Sequence, residues 1–342
     1  MRSVDERMAS CPLKHQIRIS LWQRFAALVG RPIRSYLTLY SPPMMDIKLF
    51  HSAGLVQLEG HEYKGVVAVT YDGDAFAEAL SQSEGRPELL VSGDINNLLA
   101  GSGARSPNGM RLRNKFPYDV INLDYTNSLF WKANKEPISA HLSAIDEIVR
   151  LQAHKQARKF ALFVTTRAEP GQLAAQLLDD LVARIDGNLS QSAGFTRSFH
   201  LVHGNLSARD FLQTRYESFI SLGLVKMLAN VLSSNRFETS DCEAIWLIRD
   251  AGSPLQALLH LAILARAAQP RAARTIRELG RTTFYERQIT TYVSRHRGES
   301  RITESGDGER LRQLLGTQIA ELAAATFEIK IPEPEKRDET HQ

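Results

Sequence analysis

Arginine residues are concentrated in one stretch near the carboxyl end of the sequence, where their chemistry points to phosphate. Eight arginines and three glutamates lie between residues 271 and 301, with phenylalanine and tyrosine among them. A guanidinium group can bind phosphate through two hydrogen bonds and can stack on a nucleobase. The competing interpretation is a solvated helix with surface ion pairs, because runs of charged residues usually form such helices. The candidate nucleic-acid residues are Arg274, Arg277 and Arg281 on one helix face, with Arg111 and Arg113 earlier in the chain.

Aspartates near the ends of short apolar runs form the second chemical signal. Asp72 and Asp94 each follow such a run, Asp124 ends another, and Asp46 lies just inside the helix expected after the first strand. An aspartate in these places also forms turns, caps helices or is favoured by the helix dipole. For Asp72, Asp94 and Asp124, a functional and a purely structural interpretation both stay open.

Several kinds of chemistry lack the residues they need. His200 and His203 would lie on opposite faces of a strand, and no cysteine supports them, so we expect no metal. No Gly-x-x-x-x-Gly-Lys-Ser/Thr loop occurs, and Ser128 lacks a Gly-x-Ser-x-Gly setting, so ATPase and acyl-transfer chemistry have no support. A dinucleotide-dependent oxidoreductase would need a Gly-x-Gly-x-x-Gly turn after the first strand, and the sequence lacks it.

The composition is that of an ordinary globular chain. It has 342 residues, 43% of them hydrophobic, and 42 basic against 38 acidic residues give a net charge of +4, which is compatible with a nucleic-acid partner. Cys11 and Cys242 are the only cysteines, which excludes a disulfide framework and favours a reducing cytoplasm. No run of about 18 apolar residues occurs, and the first residues lack the apolar stretch of a secretory signal, so we expect a cytoplasmic protein without a membrane span.

The elements that must carry these residues follow from the apolar pattern. Mostly continuous apolar runs predict strands buried on both faces, and patterns with a helical period separate most of them. Such an alternation argues for a doubly wound, mostly parallel α/β sheet. The expected strands are Ser35–Tyr40, Val66–Thr70, Leu89–Ser92, Tyr118–Asp124 and Lys159–Thr165, after an N-terminal helix over Leu13–Leu28.

The second half of the chain is expected to be more helical. A helical period predicts a helix over Ala208–Ser233, and Ala244–Ile248 is typical of a strand. For Leu255–Ala265, a helix and a hairpin partner of that strand both stay open. Residues 101–118 are expected to form a basic loop, since glycine and proline interrupt any apolar period. Further helices are expected over Pro270–Ser294 and Glu309–Thr326.

Three segments resemble motifs of the Rossmann-like S-adenosylmethionine-dependent methyltransferases. They are VVAVTYDGDAF (Val66–Phe76), LLVSGDINNLL (Leu89–Leu99) and FPYDVINLDYTNSLF (Phe116–Phe130). The third is similar to the DxIDLDPFGS motif of tRNA guanine-N2 methyltransferases of the Trm-one type. The resemblance implies a seven-stranded sheet with helices on both faces. The domains it implies are a helical extension over 1–30, a methyltransferase-like domain over 31–265, a helical basic region over 266–330 and a disordered tail over 331–342.

The resemblance also implies a cofactor and a set of site residues. The residues it implies around S-adenosylmethionine are Ser41, Asp72, Asp94 and Ile95. The catalytic residues it implies are Asp124, Tyr125 and Asn127. In that arrangement Asp124 accepts a hydrogen bond from the amine of a flipped or single-stranded base. The implied activity is methyl transfer to RNA or DNA.

The sequence departs from that family after the first strand. Where a glycine-rich turn is usual, the chain has Ser41-Pro42-Pro43, and the two prolines remove amide donors and fix φ. If the second strand ends at Thr70, the ribose-binding acid is missing, whereas a slip of two residues lets Asp72 supply it. The alternative function is therefore a non-catalytic member of the fold that binds nucleic acid or serves as a scaffold.

Overall fold

A computed structural model describes residues 12–40, 44–81, 85–125, 128–129, 140–168, 173, 175–248, 257–268 and 300–303. Nine strands form one sheet in this part of the chain. The strands are β1 (Tyr36–Leu39), β2 (Leu58–Glu59), β3 (Glu62–Thr70), β4 (Arg86–Ser92), β5 (Val120–Asp124), β6 (Lys159–Arg167), β7 (Phe237–Ile248), β8 (Ala257–Ala267) and β9 (Ser300–Thr303). Their order is β2-β3-β1-β5-β6-β8-β7-β9, and β4 pairs with β3.

Parallel pairing dominates the part of the sheet that comes first in the chain. β4, β3, β1, β5 and β6 run parallel to one another, whereas β8 is antiparallel to both β6 and β7. The expected doubly wound, mostly parallel α/β architecture is confirmed. The expected count of seven strands is exceeded by the two short strands β2 and β9, which pair with β3 and β7.

Helices cover both faces of this sheet. The N-terminal helix consists of three consecutive parts, α1 (Pro12–Ile17), a π-helical segment (Arg18–Gln23) and α2 (Arg24–Val29). The other helices are α3 (Met45–Ser52), α4 (Gly73–Ser81), α5 (Ile95–Ala100), α6 (Pro107–Asn114), α7 (Ala140–His154), α8 (Ala175–Gln191), α9 (Ala193–His203), α10 (Ala208–Thr214) and α11 (Tyr216–Ser234).

The N-terminal helix is part of the core on one face of the sheet. Trp22 is 1% exposed and stacks on Phe163 of β6, with ring centroids 5.9 Å apart. Phe25 and Phe50 are buried in the same apolar cluster. Burial of large aromatic side chains is the main favourable term in such packing, so removal of this helix would expose the sheet. Helices α5, α7 and α8 to α11 pack on the opposite face.

The strand order reverses between β1 and β5. From β1 the chain continues outward to β3 and β4, then returns to the other side of β1 as β5 and β6. In an open parallel sheet, helices that leave in opposite directions at this point open a crevice beside the carboxyl ends of the strands. Functional side chains are therefore expected at the carboxyl ends of β1, β3, β4 and β5.

Two local expectations were wrong because short helices were overlooked. Residues 101–118 are not a loop, since they contain a 3₁₀ turn (Ser102–Arg105) and α6. The Oγ of Ser106 accepts a hydrogen bond from the Gly109 amide at 3.1 Å, and Pro107 occupies the first turn, which is a favourable helix start. His200 and His203 lie in α9 rather than in a strand, so their spacing puts them on one helix face.

The hairpin alternative for Leu255–Ala265 is confirmed, because β8 pairs antiparallel with β7. The long helix expected over Ala208–Ser233 is two helices that meet at Arg215. In the region expected to be helical after residue 266, Ser300–Thr303 is a strand. The helices expected over Pro270–Ser294 and Glu309–Thr326, and the tail expected over 331–342, lie outside the described residues.

Candidate functional site at the carboxyl edge of the sheet

Asp46 joins the ends of β1 and β5. The register pairs Thr38 with Asn122, and alternation along β1 puts Tyr36 on the same face. Asp46 Oδ2 accepts hydrogen bonds from Tyr36 Oη at 2.5 Å, Thr38 Oγ1 at 2.8 Å and Asn122 Nδ2 at 3.3 Å. Burial, followed by the charge of Asp46, raises the pKa of Tyr36 well above its usual value. These hydrogen bonds hold β1 and β5 together at the point where the strand order reverses, so Asp46 has a structural role.

The turn that leads into α3 has an unusual backbone. Met44 precedes the helix with φ 59° and ψ 43°, in the left-handed region that glycine adopts most easily. Its side chain is 1% exposed. The chain thus makes a glycine-like turn here without a glycine, and packing of the methionine side chain offsets the strain.

Asp124 meets the N-terminal helix. Its carboxylate lies 2.5 Å from the Nζ of Lys14, and the two side chains are 16% and 22% exposed. The register puts Asp124, Thr165 and His260 in one row across β5, β6 and β8. Thr165 Oγ1 and His260 Nδ1 are 2.9 Å apart, and Trp22 lies against the ring of His260. We call Lys14, Arg18, Trp22, Asp124, Thr165 and His260 the N-terminal cluster.

The charge state of Asp124 is set by this cluster. Burial alone would raise the pKa of Asp124, but the ion pair with Lys14 and the nearby His260 and Arg18 lower it below its usual value. Asp124 is therefore ionised throughout the neutral range, and its carboxylate can only accept hydrogen bonds.

Tyr125 turns to the opposite face from Asp124, as alternation along a strand requires. It is 5% exposed, and its hydroxyl donates to Asn96 Oδ1 at 3.3 Å while its ring stacks on His141 at 4.2 Å. Burial, with a smaller contribution from Asp94, raises the pKa of Tyr125. For His141, burial lowers the pKa and Asp94 opposes that effect. Asp94, Asn96, Tyr125 and His141 therefore form a second polar group, which we call the β4–β5 cluster.

Asp94 and Asp72 both cap the helix that follows their strand. Asp94 Oδ1 accepts from the Asn96 amide at 3.0 Å, and Asp72 Oδ1 accepts from the Asp74 amide at 2.8 Å. Both side chains are exposed, and within the described part of the chain nothing donates a hydrogen bond to either Oδ2. Ile95, next to Asp94, is buried at the start of α5. Each carboxylate thus has one oxygen that accepts no hydrogen bond from the described residues.

The register settles which residue ends the second expected strand. Thr70 pairs with Ser92 at the end of β3, and its Oγ1 accepts a hydrogen bond from the Asp72 amide at 3.2 Å. Thr70 is 4% exposed, whereas Asp72 is at the surface two residues further on. The strand therefore ends at Thr70, which is the alternative without an acid at the strand end, and Asp72 lies in the turn that follows.

The remaining expected residues are not brought to this edge. Helix α6 begins beside Ser92, where Asn108 donates to the Ser92 carbonyl at 2.8 Å, and it runs back toward the amino edge. Arg113 there forms an ion pair with Glu147 at 2.6 Å and is committed to it. Arg111 is exposed near the end of the same helix. The residues that lie outside the described part of the chain are Ser41, Asn127, Arg274, Arg277 and Arg281.

Lys14, Arg18, His141 and His260 were missed at the sequence level. Lys14, Arg18 and Trp22 are spaced by four, so a helical projection would have shown two cations on the stripe that buries an aromatic ring. His260 gave no signal, because its row with Asp124 depends on the pairing of β6 with β8, in which Thr165 and His260 are 95 residues apart in sequence.

The described residues contain neither a metal-binding group nor a membrane-spanning helix. No group of three or more His, Cys, Asp or Glu side chains there could hold a metal ion. No described helix is both long enough and apolar enough to cross a membrane.

The strand order, with its reversal between β1 and β5, and the helices on both faces define a Rossmann-like α/β protein. A family model described as PP_RS20740-like matches residues 11–240, which is more than half of the sequence, and the chain belongs to this family. No curated protein matches it.

Solved structures show only distant similarity. The plantazolicin methyltransferase BamL, in complex with a triazolic desmethylPZN analogue and SAH, is 12% identical over 76% of this chain and 87% of its own, with a TM-score of 0.32. A chain from a study of the conversion of a disulfide bond into a thioacetal group during echinomycin biosynthesis is 8% identical over 75% of this chain and 94% of its own, with a TM-score of 0.31. At these scores the similarity carries no conclusion about activity.

Proposed function

We propose that this chain binds S-adenosylmethionine at the carboxyl edge of β1, β3, β4 and β5 and acts as a methyltransferase. The observation that carries the proposal is that Asp72, Asp94 and Asp124 lie at or just after the carboxyl ends of β3, β4 and β5, at the sheet edge where the strand order reverses. A nucleoside offers hydroxyl and amine donors, and carboxylates at the ends of neighbouring parallel strands are suited to accept from them.

The described residues are compatible with that cofactor. Asp72 would accept from the ribose hydroxyls, and Asp94 would accept from the adenine amine beside the apolar Ile95, since both acids retain an oxygen without a donor among the described residues. We assign Asp46 to the fold rather than to the cofactor, because its Oδ2 accepts from Tyr36, Thr38 and Asn122 and so joins β1 to β5. Ser41 completes the proposed binding set, and the bound cofactor would supply a sulfonium methyl group for transfer.

Asp124 would act on the acceptor. Its carboxylate is ionised and accepts hydrogen bonds, so it can hold an acceptor amine and orient its lone pair toward the methyl donor. Tyr125 would support this position from the opposite face through Asn96 and His141. We keep Asn127 as a candidate contact to the acceptor, on the motif alone.

A base amine of RNA or DNA is the acceptor that we propose. Its support is the similarity of Phe116–Phe130 to the motif of tRNA guanine methyltransferases, and the arginines between residues 271 and 301. We expect the double variant Arg274→Glu, Arg281→Glu to bind RNA more weakly and with a flatter salt dependence than the wild type. An unchanged salt dependence would remove these arginines from the interface. A cytoplasmic location is part of this proposal.

The second candidate function is a non-catalytic binding or scaffold protein of the same fold. The ion pair between Lys14 and Asp124 favours it, because the carboxylate that would hold the acceptor already has a partner. The proline pair after β1 favours it as well.

Calorimetry with S-adenosylhomocysteine separates the two functions. We expect micromolar binding by the wild type and a loss of at least about tenfold in Asp94→Ser, since serine keeps the helix cap but removes the carboxylate. The matched control is Asp179→Ser, which removes an exposed carboxylate on α8 and should bind like the wild type. No detectable heat at millimolar ligand would leave only the scaffold function.

A further inference from the structure

The N-terminal cluster has more positive charge than its only carboxylate can neutralise. Lys14 pairs with Asp124 at 2.5 Å, and Arg18 lies one helical turn further on, with its guanidinium 5.9 Å from the centre of the Trp22 ring. Among the described residues, no carboxylate forms an ion pair with Arg18. Once Lys14 and Asp124 offset each other, one positive charge is left over.

The same cluster contains buried donors that lack acceptors. Trp22 is 1% exposed, and among the described residues its Nε1 has no hydrogen-bond partner. The Nε of Arg18 is a second buried donor that no described residue accepts from. Buried donors are normally satisfied, and each exception calls for an explanation. Both groups only donate, so the missing partner must be an acceptor.

The backbone at this place is also unusual. Arg18 begins and Trp22 lies within a six-residue π-helical segment, a form that is rare and recurs at functional sites. Arg24, in the ordinary helix that follows, points elsewhere and pairs with Glu243. The irregular turn therefore coincides with the residues whose donors lack partners.

The location of the cluster indicates which molecule would bind. Asp72 and Asp94 follow β3 and β4, on one side of the switch point, whereas the N-terminal cluster lies over β5, β6 and β8 on the other side. The first side is the one assigned above to the nucleoside. The second side is left for the acceptor.

We propose that Arg18 and Trp22, with Lys14 beside them, bind an anionic group of the acceptor, either a carboxylate or a phosphate. A guanidinium offers several donors in a fixed plane, and the indole N–H adds another. Lys14 keeps the charge of Asp124 from repelling the anion. The assignment of the anion to the acceptor rests on the proposed methyltransferase function, whereas anion binding itself does not.

The test follows the indole N–H signal of Trp22 by NMR in the full chain labelled with ¹⁵N-tryptophan. The Trp22 signal is assigned by its loss in Trp22→Phe. Phosphate and acetate are titrated separately at constant ionic strength, with chloride as the balancing anion. We expect the Trp22 signal to shift with at least one of them and that of Trp246, whose Nε1 donates to Ser221 at 2.8 Å, to stay in place. A response to phosphate alone or to acetate alone identifies the anion.

Variants on the same helix decide the role of Arg18. Arg18→Gln should weaken anion binding at least about tenfold, because it removes both the charge and the Nε donor. Arg24→Gln is the matched control, with the same charge change on the same helix, and should stay within about twofold of the wild type. If Arg18→Gln does not fold, Arg18→Lys replaces it and should weaken binding at least about threefold.

The outcomes keep the two proposals apart. A wild type whose Trp22 signal is unmoved by both anions up to about 50 mM, or an Arg18 variant that binds like the wild type, overturns the anion site. If S-adenosylhomocysteine binds in the same samples, the cofactor proposal stands in either case. If the anions bind and the cofactor does not, the anion site stands and its assignment to a methyl acceptor is overturned.

Discussion

Replacement of Lys14 by methionine tests how the N-terminal helix controls Asp124. Methionine keeps the apolar stem and removes the charge, which leaves the carboxylate of Asp124 largely buried without its partner at 2.5 Å. Exposed pairs contribute less than about 1 kcal/mol, whereas breaking a buried pair costs about 3–5 kcal/mol. Since these side chains are 22% and 16% exposed, we expect a coupling energy of about 2 kcal/mol.

The assay is a double-mutant cycle of unfolding free energies with Lys14→Met, Asp124→Asn and both changes together. Because the pKa of Asp124 is lowered in the folded state, its contribution is present above the unfolded pKa of about 4 and is lost as pH falls toward the folded value. The difference between wild type and Lys14→Met should therefore shrink below about pH 4.

A surface pair supplies the control for this cycle. Lys115 and Glu88 are 2.8 Å apart but 44% and 29% exposed, so the cycle with Lys115→Met should give a coupling below about 1 kcal/mol. A coupling between Lys14 and Asp124 below about 0.3 kcal/mol, or a difference in stability that is the same at every pH, would show that Lys14 does not stabilise the charge of Asp124.

Two further predictions concern the fold. Gly65→Ala should destabilise by more than about 3 kcal/mol in denaturant unfolding, because at φ +70° its Cβ would lie 2.0 Å from the Arg34 carbonyl oxygen. Gly54→Ala has nearly the same φ of +69° and no atom within 4 Å, so it should cost only about 1 kcal/mol, and equal losses would contradict the clash. Burial, then the charge of an arginine, lowers the pKa of His203 to about 4, so its neutral form stabilises the fold above about pH 6.5 and that stability is lost as pH falls toward 4. Discounted for solvent screening, this loss of stability is about 1–2 kcal/mol. The loss should be absent in His203→Phe, in which the new ring replaces the histidine ring that packs on Phe199. Parallel pH profiles of stability for the wild type and His203→Phe would count against this prediction.

The apolar pattern predicts most of the sheet because strands buried on both faces are continuous apolar runs in the sequence. Val66–Thr70 and Lys159–Thr165 lie within β3 and β6, with strand ends misplaced by a few residues. The apolar pattern does not predict α6. Ser106 and Pro107 are typical of a helix start, but the helix is too short to show a helical period of apolar residues. The apolar pattern also does not distinguish helix from strand for β8, because its leucine and alanine residues favour a helix and only the pairing with β7 makes the segment a strand.

The candidate site also contains residues that the sequence predicts and residues that it does not. Asp94 and Asp124 could be found from sequence, because an acid at the end of an apolar run is a local feature. Their partners could not, since Lys14 reaches Asp124 through packing of Trp22 on Phe163, and His260 reaches the same row through strand pairing. Alternation also separates the neighbours Asp124 and Tyr125, which the motif alone treats as one unit.

Crystals of the full chain soaked with S-adenosylhomocysteine would show whether the cofactor binds at the carboxyl edge of the sheet. We expect density for the adenine ring beside Asp94 and Ile95, and for the ribose hydroxyls within hydrogen-bond distance of Asp72. Crystals that take up no ligand at millimolar concentration, or that hold it away from the carboxyl ends of β3 and β4, would rule out the proposed cofactor site.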